Sequence, residues 1–346
     1  MLPLGRFLAV ALILSGIPDA GRAHDPDRRV PGWWTGDTWR ARAPLPTPRW
    51  RLGAAAVHGK IYAVGGDSGG GVLDAVDEYD PRKDAWRPRA PMPTPRSDLA
   101  VVAFGGRVYA IGGRDGSGVL DAVEVYDPRT DSWASVDPLP VASSGLRAVV
   151  VKRWIYAIGG FDGTDVVGTV QRYDPRTGVW TVLSPMPTPK SDFAIAAFGR
   201  RIYAFYGATR EYPWGGGPLD VYDWEADRWA PTEFLGSDVG GPVAAVSRDR
   251  IHVIGGEFGP GPGTVADNRV YDPATETFVS RAPMPTDRGQ AAVAVVGGEV
   301  HVLGGGKTTE PSGIQDAVEA YTPPRRRHGP PVAAWSDAEA GPGPAP

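Results

Sequence analysis

Short apolar runs that end at paired glycines recur at regular intervals along this chain. Residues 61–64 (IYAV) end at Gly65-Gly66, and residues 155–158 (IYAI) end at Gly159-Gly160. The pairs lie at 65–66, 112–113, 159–160, 255–256 and 304–305, with Tyr206-Gly207 in the one gap. The spacings of 47, 47, 47, 49 and 49 residues predict six copies of one structural unit packed against each other.

Each unit is predicted to contain four antiparallel β-strands. In the second unit, apolar runs and turn residues place the strands at about 98–104, 107–112, 121–126 and 132–136. The third strand ends at a tyrosine, found at Tyr79, Tyr126, Tyr173, Tyr222, Tyr271 and Tyr321. An aromatic residue follows seven positions later, at Trp86, Trp133, Trp180, Trp229 and Phe278. The first strand is mostly small and apolar, as expected for a strand buried on both faces.

The first and last units are each incomplete, and the two incomplete parts fit each other. Seven residues after Tyr321 the chain holds His328, inside the segment 325–330 (RRRHGP), which is no strand. At the other end, residues 39–46 (WRARAPLP) match residues 86–93 (WRPRAPMP) almost residue for residue, with no earlier strands before them. A closed ring, in which Trp39 supplies the last strand of the sixth unit, explains both, since an open array would leave two unpaired sheet edges.

The paired glycines, the tyrosine and the tryptophan at these intervals resemble the Kelch repeat, over about residues 37–323. The resemblance implies an all-β fold: a six-bladed Kelch β-propeller with four antiparallel strands per blade, the last blade closed by the N-terminal strand around Trp39. The fourth and fifth units depart most, because Tyr206 replaces a glycine, Trp224 replaces a proline, and residues 231–241 replace a proline-rich segment. Four cations recur after these proline-rich segments and are predicted to belong to the scaffold: Arg49, Arg96, Lys190 and Arg288.

Both ends of the chain lie outside the repeats. Residues 1–23 are predicted to be a signal peptide, with Arg6, an apolar run at 7–17 and small residues before His24. A run of this length is too short to cross a bilayer, although a retained membrane anchor is the alternative. A leader at 24–36, the propeller at 37–323 and a disordered, Gly/Pro-rich tail at 324–346 follow. The mature protein is therefore expected to be secreted or otherwise extracytoplasmic, with no membrane span.

Composition excludes several classes of function. The 346 residues include no cysteine, so disulfides, thiolate nucleophiles and Cys-ligated metals are impossible. With 36 basic and 40 acidic residues the net charge is -4, which argues against a nucleic-acid partner. The five histidines show no metal-ligand spacing, and two of them, His252 and His301, occupy a position that tyrosine holds in four other units. We expect a monomer without metal or cofactor.

The resemblance implies that ligands bind at the mouth of the central channel, beside residues that follow the proline-rich segments. The residues predicted to bind ligand there are Arg51, Ser97, Asp98, Ser144, Ser191, Asp192 and Gln290. One arginine is too few for the cluster with which some Kelch domains hold acidic peptides, so a sugar or a basic peptide is the expected ligand. The alternative is that these serines and aspartates only satisfy turn amides.

Irregular loops supply the other candidate residues. Tyr212 and Trp214, in the fourth unit, are predicted to stack on a sugar or clamp a peptide, unless the loop folds over its own aromatics. The loops at 257–260 and 307–310 also break the repeat.

The predicted function is a non-catalytic module that binds an unknown protein or glycan at the channel mouth. The alternative is a sugar mutarotase or epimerase like the exported sialic-acid mutarotases, which are six-bladed Kelch propellers that use a glutamate and an arginine. Glu211 with Arg210, or Glu257 with Arg51, are the candidates for those roles. The copper cofactor of galactose-oxidase-like enzymes is excluded, because it needs a cysteine.

Overall fold

The computed structural model describes residues 34–230, 239–258, 263–306 and 313–326. The predicted signal peptide, most of the leader, the tail from residue 327 and the loop at 307–310 lie outside the described residues. The chain divides into two units. One comprises Met1–Trp34 and Arg326–Pro346, nearly all of which is outside the described part, and the other spans Thr35–Arg325.

The described residues form six four-stranded antiparallel sheets, numbered here in chain order and consistent with the six predicted blades. Sheet 1 comprises Gly53–Val57, Lys60–Val64, Val76–Asp80 and Ala85–Pro88. Sheet 2 comprises Ala100–Phe104, Arg107–Ile111, Val123–Asp127 and Ser132–Val136. Sheet 3 comprises Arg147–Val151, Trp154–Ile158, Val170–Asp174 and Val179–Leu183. Sheet 4 comprises Ala194–Phe198, Arg201–Phe205, Asp220–Asp223 and Arg228–Trp229. Sheet 5 comprises Val243–Ser247, Arg250–Ile254, Asn268–Asp272 and Thr277–Ser280. Sheet 6 comprises Ala292–Val296, Glu299–Leu303, Val318–Thr322 and Thr38–Arg42. Two-residue strands also occur at Trp34–Thr35, Val239–Gly240, Glu257–Phe258, Gly263–Thr264 and Arg325–Arg326.

The first strands of the six sheets lie innermost and close a ring. Each contacts the first strand of the next sheet, and Ala292–Val296 of sheet 6 contacts Gly53–Val57 of sheet 1. These strands consist mostly of alanine and valine, because little space is left where six twisted sheets converge. Large aromatic residues instead fill the wider space between the outer parts of the sheets.

The N-terminal strand closes the ring, as predicted. Thr38–Arg42 pairs with Val318–Thr322, which places Trp39 opposite Tyr321 with their ring centroids 5.1 Å apart. The Tyr321 hydroxyl donates a hydrogen bond to Asp37. Sheet 6 therefore combines strands from the two ends of the propeller, and Thr38–Arg42 pairs with the edge that Val318–Thr322 would otherwise leave unpaired.

The outer-strand tryptophans also join neighbouring sheets. In five sheets the indole N–H donates a hydrogen bond of 2.8 to 3.0 Å to a backbone carbonyl of the preceding sheet's outer segment: Trp86 to Ala43, Trp133 to Ala90, Trp180 to Asp137, Trp229 to Ser184 and Trp39 to Ala282. Phe278 holds this position in sheet 5 and has no N–H to donate. The tryptophan that recurs once per unit in the sequence thus joins its sheet to the preceding one.

The paired glycines allow the chain to pass very close to its neighbour. A Cβ atom on Gly112 would lie 2.5 Å from the carbonyl oxygen of Ser143, and Gly113 donates a hydrogen bond to that same oxygen. Tyr206 occupies the equivalent place in sheet 4, with φ of +58°, and is buried. There the corresponding hydrogen bond, from the Gly207 N–H to the Val239 carbonyl, is 3.3 Å long, compared with 2.8 Å between Gly113 and Ser143.

The four recurring cations are buried in ion pairs with acids of the third strands, in agreement with the scaffold role predicted for them. The pairs are Arg49–Asp77, Arg96–Glu124, Lys190–Asp220 and Arg288–Glu319, at 2.5 to 2.8 Å. Ser143 and Val239 replace the cation in sheets 3 and 5, and there the acid is replaced by Gln171 and Arg269. Burial lowers the pKa of each of the four cations, while its acid raises it. A buried charge needs its partner, which explains why the two positions change together.

His252 and His301 are buried in the second strands, at the position of the tyrosines, as predicted. The His252 ring packs edge-on against Tyr321 of sheet 6, with centroids 5.4 Å apart, and the His301 ring packs against Tyr79 of sheet 1 at 6.1 Å. His252 therefore packs between sheets 5 and 6, and His301 packs between sheets 6 and 1. Burial lowers the pKa of His301 to about 4, against the opposing attraction of Glu299.

Replacing His301 with phenylalanine should remove part of the protein's sensitivity to acid. The unfolded chain takes up a proton at this residue near pH 6.5 and the folded chain only near pH 4, so acidification through that window favours unfolding. The shift corresponds to about 3 kcal/mol. Urea unfolding from pH 7 to pH 4 should show that wild type loses this much more stability than His301→Phe.

Tyr109→Phe, at the equivalent position of sheet 2, is the matched control, because it removes a group that does not ionise in this range. Its stability should differ from that of wild type by a constant amount at every pH. If His301→Phe and wild type lose stability in parallel, His301 is not the group responsible.

Candidate functional site

Six equivalent residues, each two positions before the first residue of an innermost strand, form a continuous hydrogen-bonded ring around the channel. In chain order they are Arg51, Asp98, Gly145, Asp192, Gly241 and Gln290. Each backbone N–H donates to the carbonyl of the preceding member, and Arg51 donates to Gln290, at 2.8 to 3.0 Å. All six adopt the left-handed conformation, with φ between +51° and +63°. We call this set the mouth ring.

Two glycines of the mouth ring make room for their neighbours' side chains. A Cβ atom on Gly145 would lie 3.2 Å from both carboxylate oxygens of Asp192, and one on Gly241 would lie 2.7 Å from the amide nitrogen of Gln290. The side chains of Asp192 and Gln290 therefore extend over the preceding ring position. This explains why glycine and polar residues alternate from Asp98 to Gln290, which the sequence pattern alone did not explain.

Below the mouth ring lies a cavity of about 320 Å³. Its walls are the innermost strands, mainly alanine and valine, and its polar lining comprises Arg51, Asp98, Arg147 and Gln290. A cavity of this size with apolar walls and a few convergent polar groups is typical of sites for small molecules.

Asp98 is the most constrained charge at the mouth. Its side chain is only 9 % exposed and pairs with Arg51 at 3.3 Å and with Arg114 at 2.8 Å. Burial raises the pKa of the Asp98 carboxyl, Arg51 and Arg114 lower it, and Asp192 raises it. This effect on Asp98 places the Asp192 carboxylate nearby, on the other side of Gly145 in the mouth ring.

Asp192 and Gln290, in contrast, retain unused hydrogen-bonding capacity among the described residues. The nearest cation to Asp192 is Arg147, whose Nη2 lies 3.9 Å from Oδ1, too far for a hydrogen bond, and that oxygen is buried without a partner. Arg147 is held by a 2.8 Å hydrogen bond from Nε to the carbonyl of Phe193. Gln290 is 9 % exposed, lines the cavity and makes no side-chain hydrogen bond within the described part of the chain.

The three predicted serines each come directly before a member of the mouth ring in the sequence. Ser97, Ser144 and Ser191 are buried, and their backbones form isolated β-bridges with the rim residues Arg114, Phe161 and Ala208. Their hydroxyls are not part of the cavity lining. The structure therefore brings Arg51, Asp98 and Gln290 together at the cavity, with Asp192 at its edge, and keeps the serines apart.

The residues of the irregular loops do not line the cavity either. Tyr212 lies in a turn, where its carbonyl accepts hydrogen bonds from Thr209 and Gly215, and Trp214 is 61 % exposed. Arg210 pairs with Asp165 at 2.5 Å on the surface, and Glu211 is exposed.

Glu257, the other glutamate of the alternative, lies at the rim. A Cβ atom on Gly289 would meet its Cγ at 2.5 Å, so this side chain covers the residue next to Gln290.

The expectation of a single arginine at the mouth is wrong, because Arg114 and Arg147 join Arg51 there. A signal for Arg147 exists in the sequence: the equivalent first-strand residues are Gly53, Ala100, Ala194, Val243 and Ala292. A charged residue in that small, apolar set is an exception to the repeat. Arg114 follows a glycine pair, where the equivalent residues vary too much to mark it.

No three His, Asp or Glu side chains of the described residues are placed to hold a metal ion together. No helix in the same residues has the length and apolarity needed to cross a membrane.

Comparisons with known proteins agree with this architecture. The family model described as the KLHDC2/KLHL20/DRC7 Kelch-repeats domain matches residues 87–208, and the model of the Kelch motif matches residues 48–93. The solved structure of YjhT superposes with a TM-score of 0.68 over 81 % of this chain and 95 % of that chain, at 16 % identity. At such low identity the likeness concerns the fold alone. No curated protein matches the chain in sequence.

The matched repeats lie in sheets 1 to 4, and the structural match extends over most of the ring. Glycine pairs, third-strand tyrosines and fourth-strand tryptophans perform the same packing tasks in one sheet after another. Residues 48–208 therefore carry Kelch repeats, and the chain has the fold of a Kelch β-propeller.

Proposed function

We propose that this protein is a non-catalytic binding module that takes a polar group of a glycan or of a partner protein at the channel mouth. The observation that carries the proposal is the convergence of Arg51, Asp98, Arg147 and Gln290 on one cavity of about 320 Å³. The walls below are apolar, so polar atoms of a ligand meet partners at the mouth alone. The backbone ring holds these groups in place before any ligand arrives, which reduces the entropic cost of binding.

The arrangement around Asp98 and the positions of the two glutamates favour binding over proton transfer. A general acid or base must reach the substrate, whereas the carboxylate of Asp98 is buried between two arginines. Arg210 and Glu211, the first pair of the mutarotase alternative, lie outside the cavity lining. Glu257 is at the rim and is likewise not part of the cavity lining.

We further propose that the ligand is met outside the cytoplasm, because residues 1–23 have the sequence of a signal peptide. Mass spectrometry of the protein recovered from the medium or the cell envelope should identify His24 as the first residue. Recovery of the chain in the cytoplasm with Met1 or Leu2 at its N-terminus would contradict export.

Removal of the Gln290 side chain should weaken ligand binding several-fold, up to about tenfold, because one or two neutral hydrogen bonds are lost. Gln290→Gly is the suitable change, since glycine occupies two other positions of the mouth ring with the same φ. Ligands would first be found on glycan and peptide arrays, and their affinities then measured by calorimetry.

Glu211→Gln, which alters an exposed residue outside the cavity, is the matched control and should bind as wild type does. The proposal fails if neither array yields a ligand, or if Gln290→Gly binds as tightly as wild type. Accelerated exchange of sialic-acid anomers in an NMR assay, abolished in Glu211→Gln, would favour the mutarotase alternative instead.

A further inference from the structure

We infer that the group bound at the mouth is a neutral sugar, held through its hydroxyls by Asp192, Arg147 and Gln290 and through its apolar face by Phe161. This inference rests on the proposed function, since it names the ligand class of the same site. It separates a sugar from the basic peptide that the sequence left equally open.

The spacing of Asp192 and Arg147 suits a bridging hydroxyl. Nη2 of Arg147 and Oδ1 of Asp192 are 3.9 Å apart, so they are close enough to share one ligand atom and too distant to bond each other. A sugar hydroxyl both donates and accepts: it can donate to the carboxylate while it accepts from the guanidinium. An ammonium group has no acceptor and can satisfy only the carboxylate.

Gln290 provides a second, independent indication. The residue is 9 % exposed, lines the cavity and makes no side-chain hydrogen bond to the described residues. Its amide is not cut off from water, so a ligand gains affinity there by replacing water with well-aligned hydrogen bonds. The amide offers donors and an acceptor in one plane, which again matches hydroxyls better than a single charge.

The charge balance at the mouth also disfavours a charged ligand. Three guanidinium groups, those of Arg51, Arg114 and Arg147, face two carboxylates, those of Asp98 and Asp192. An added cation or anion meets charges of both signs there and must still give up its hydration. A neutral ligand with many hydroxyls loses less on desolvation and uses both kinds of partner.

Phe161 is the residue that we assign to the apolar face of the sugar ring. It is 37 % exposed, and its backbone forms a β-bridge with Ser144, the residue before Gly145. The Phe161 backbone is thus bridged to the residue before the ring position over which the Asp192 carboxylate extends. Phe161 stands where the other sheets have Asp67, Arg114, Ala208, Glu257 and Gly306, so it is an exception to the repeat.

A panel of methyl hexopyranosides, titrated against the full chain by NMR and calorimetry, tests the inference. At least one should bind, and Asp192→Gly and Phe161→Ala should each weaken it about tenfold or more. Glycine already occupies the neighbouring ring positions, so Asp192→Gly leaves the backbone unstrained. Val182→Ala, which shortens an exposed apolar side chain on the outermost strand of sheet 3, is the control and should bind normally.

Salt dependence distinguishes the ligand classes. The affinity for a neutral sugar should stay within about twofold between low and high salt, whereas a basic peptide would bind much more weakly at high salt. Saccharide binding that survives Asp192→Gly overturns the inference. Binding of a basic peptide alone, weakened in Gln290→Gly, also overturns it while leaving the proposed function intact, and the absence of any ligand at the mouth defeats both.

Discussion

The cycle of six backbone hydrogen bonds around the channel is the constraint on which the rest of the structure depends. Each member of the mouth ring must adopt the left-handed conformation for its N–H and its carbonyl to point at the two neighbouring members. Four of the six are not glycine, and each of these carries a strain of about 1 kcal/mol or more. The strain is sustained because the ring closes only when all six sheets are in place.

The same constraint converts a repetitive scaffold into a specific site. Because the backbone is fixed, a substitution in the ring changes which group projects at the mouth without moving the strands. Glycine at 145 and 241 opens the space that Asp192 and Gln290 use. The buried ion pairs and the tryptophan hydrogen bonds between sheets repeat, as expected of a scaffold. Arg147 and Phe161 each break the repeat once, and Arg147 lines the cavity.

Much of the fold could be predicted from the sequence because its signals are local and repeated six times. The strands of sheet 2 lie within about two residues of their predicted bounds, and the match between residues 39–46 and 86–93 was sufficient to predict closure at Trp39. The site was less accessible. The partners of Arg96 and Lys190 lie about 30 residues away in another strand, and Arg114 reaches Asp98 through a loop whose course no periodicity describes. Burial of Ser97, Ser144 and Ser191 likewise follows from bridges between loops, which sequence spacing does not reveal.

Hydrogen exchange of the six mouth-ring amides tests the central claim most directly. These amides belong to residues outside the strands, so in an ordinary loop they would exchange rapidly. The closed cycle predicts that the amides of Arg51, Asp98, Gly145, Asp192, Gly241 and Gln290 are protected as a group, to the same degree as those of the innermost strands. Rapid exchange at these six positions while the innermost strands remain protected would contradict the account.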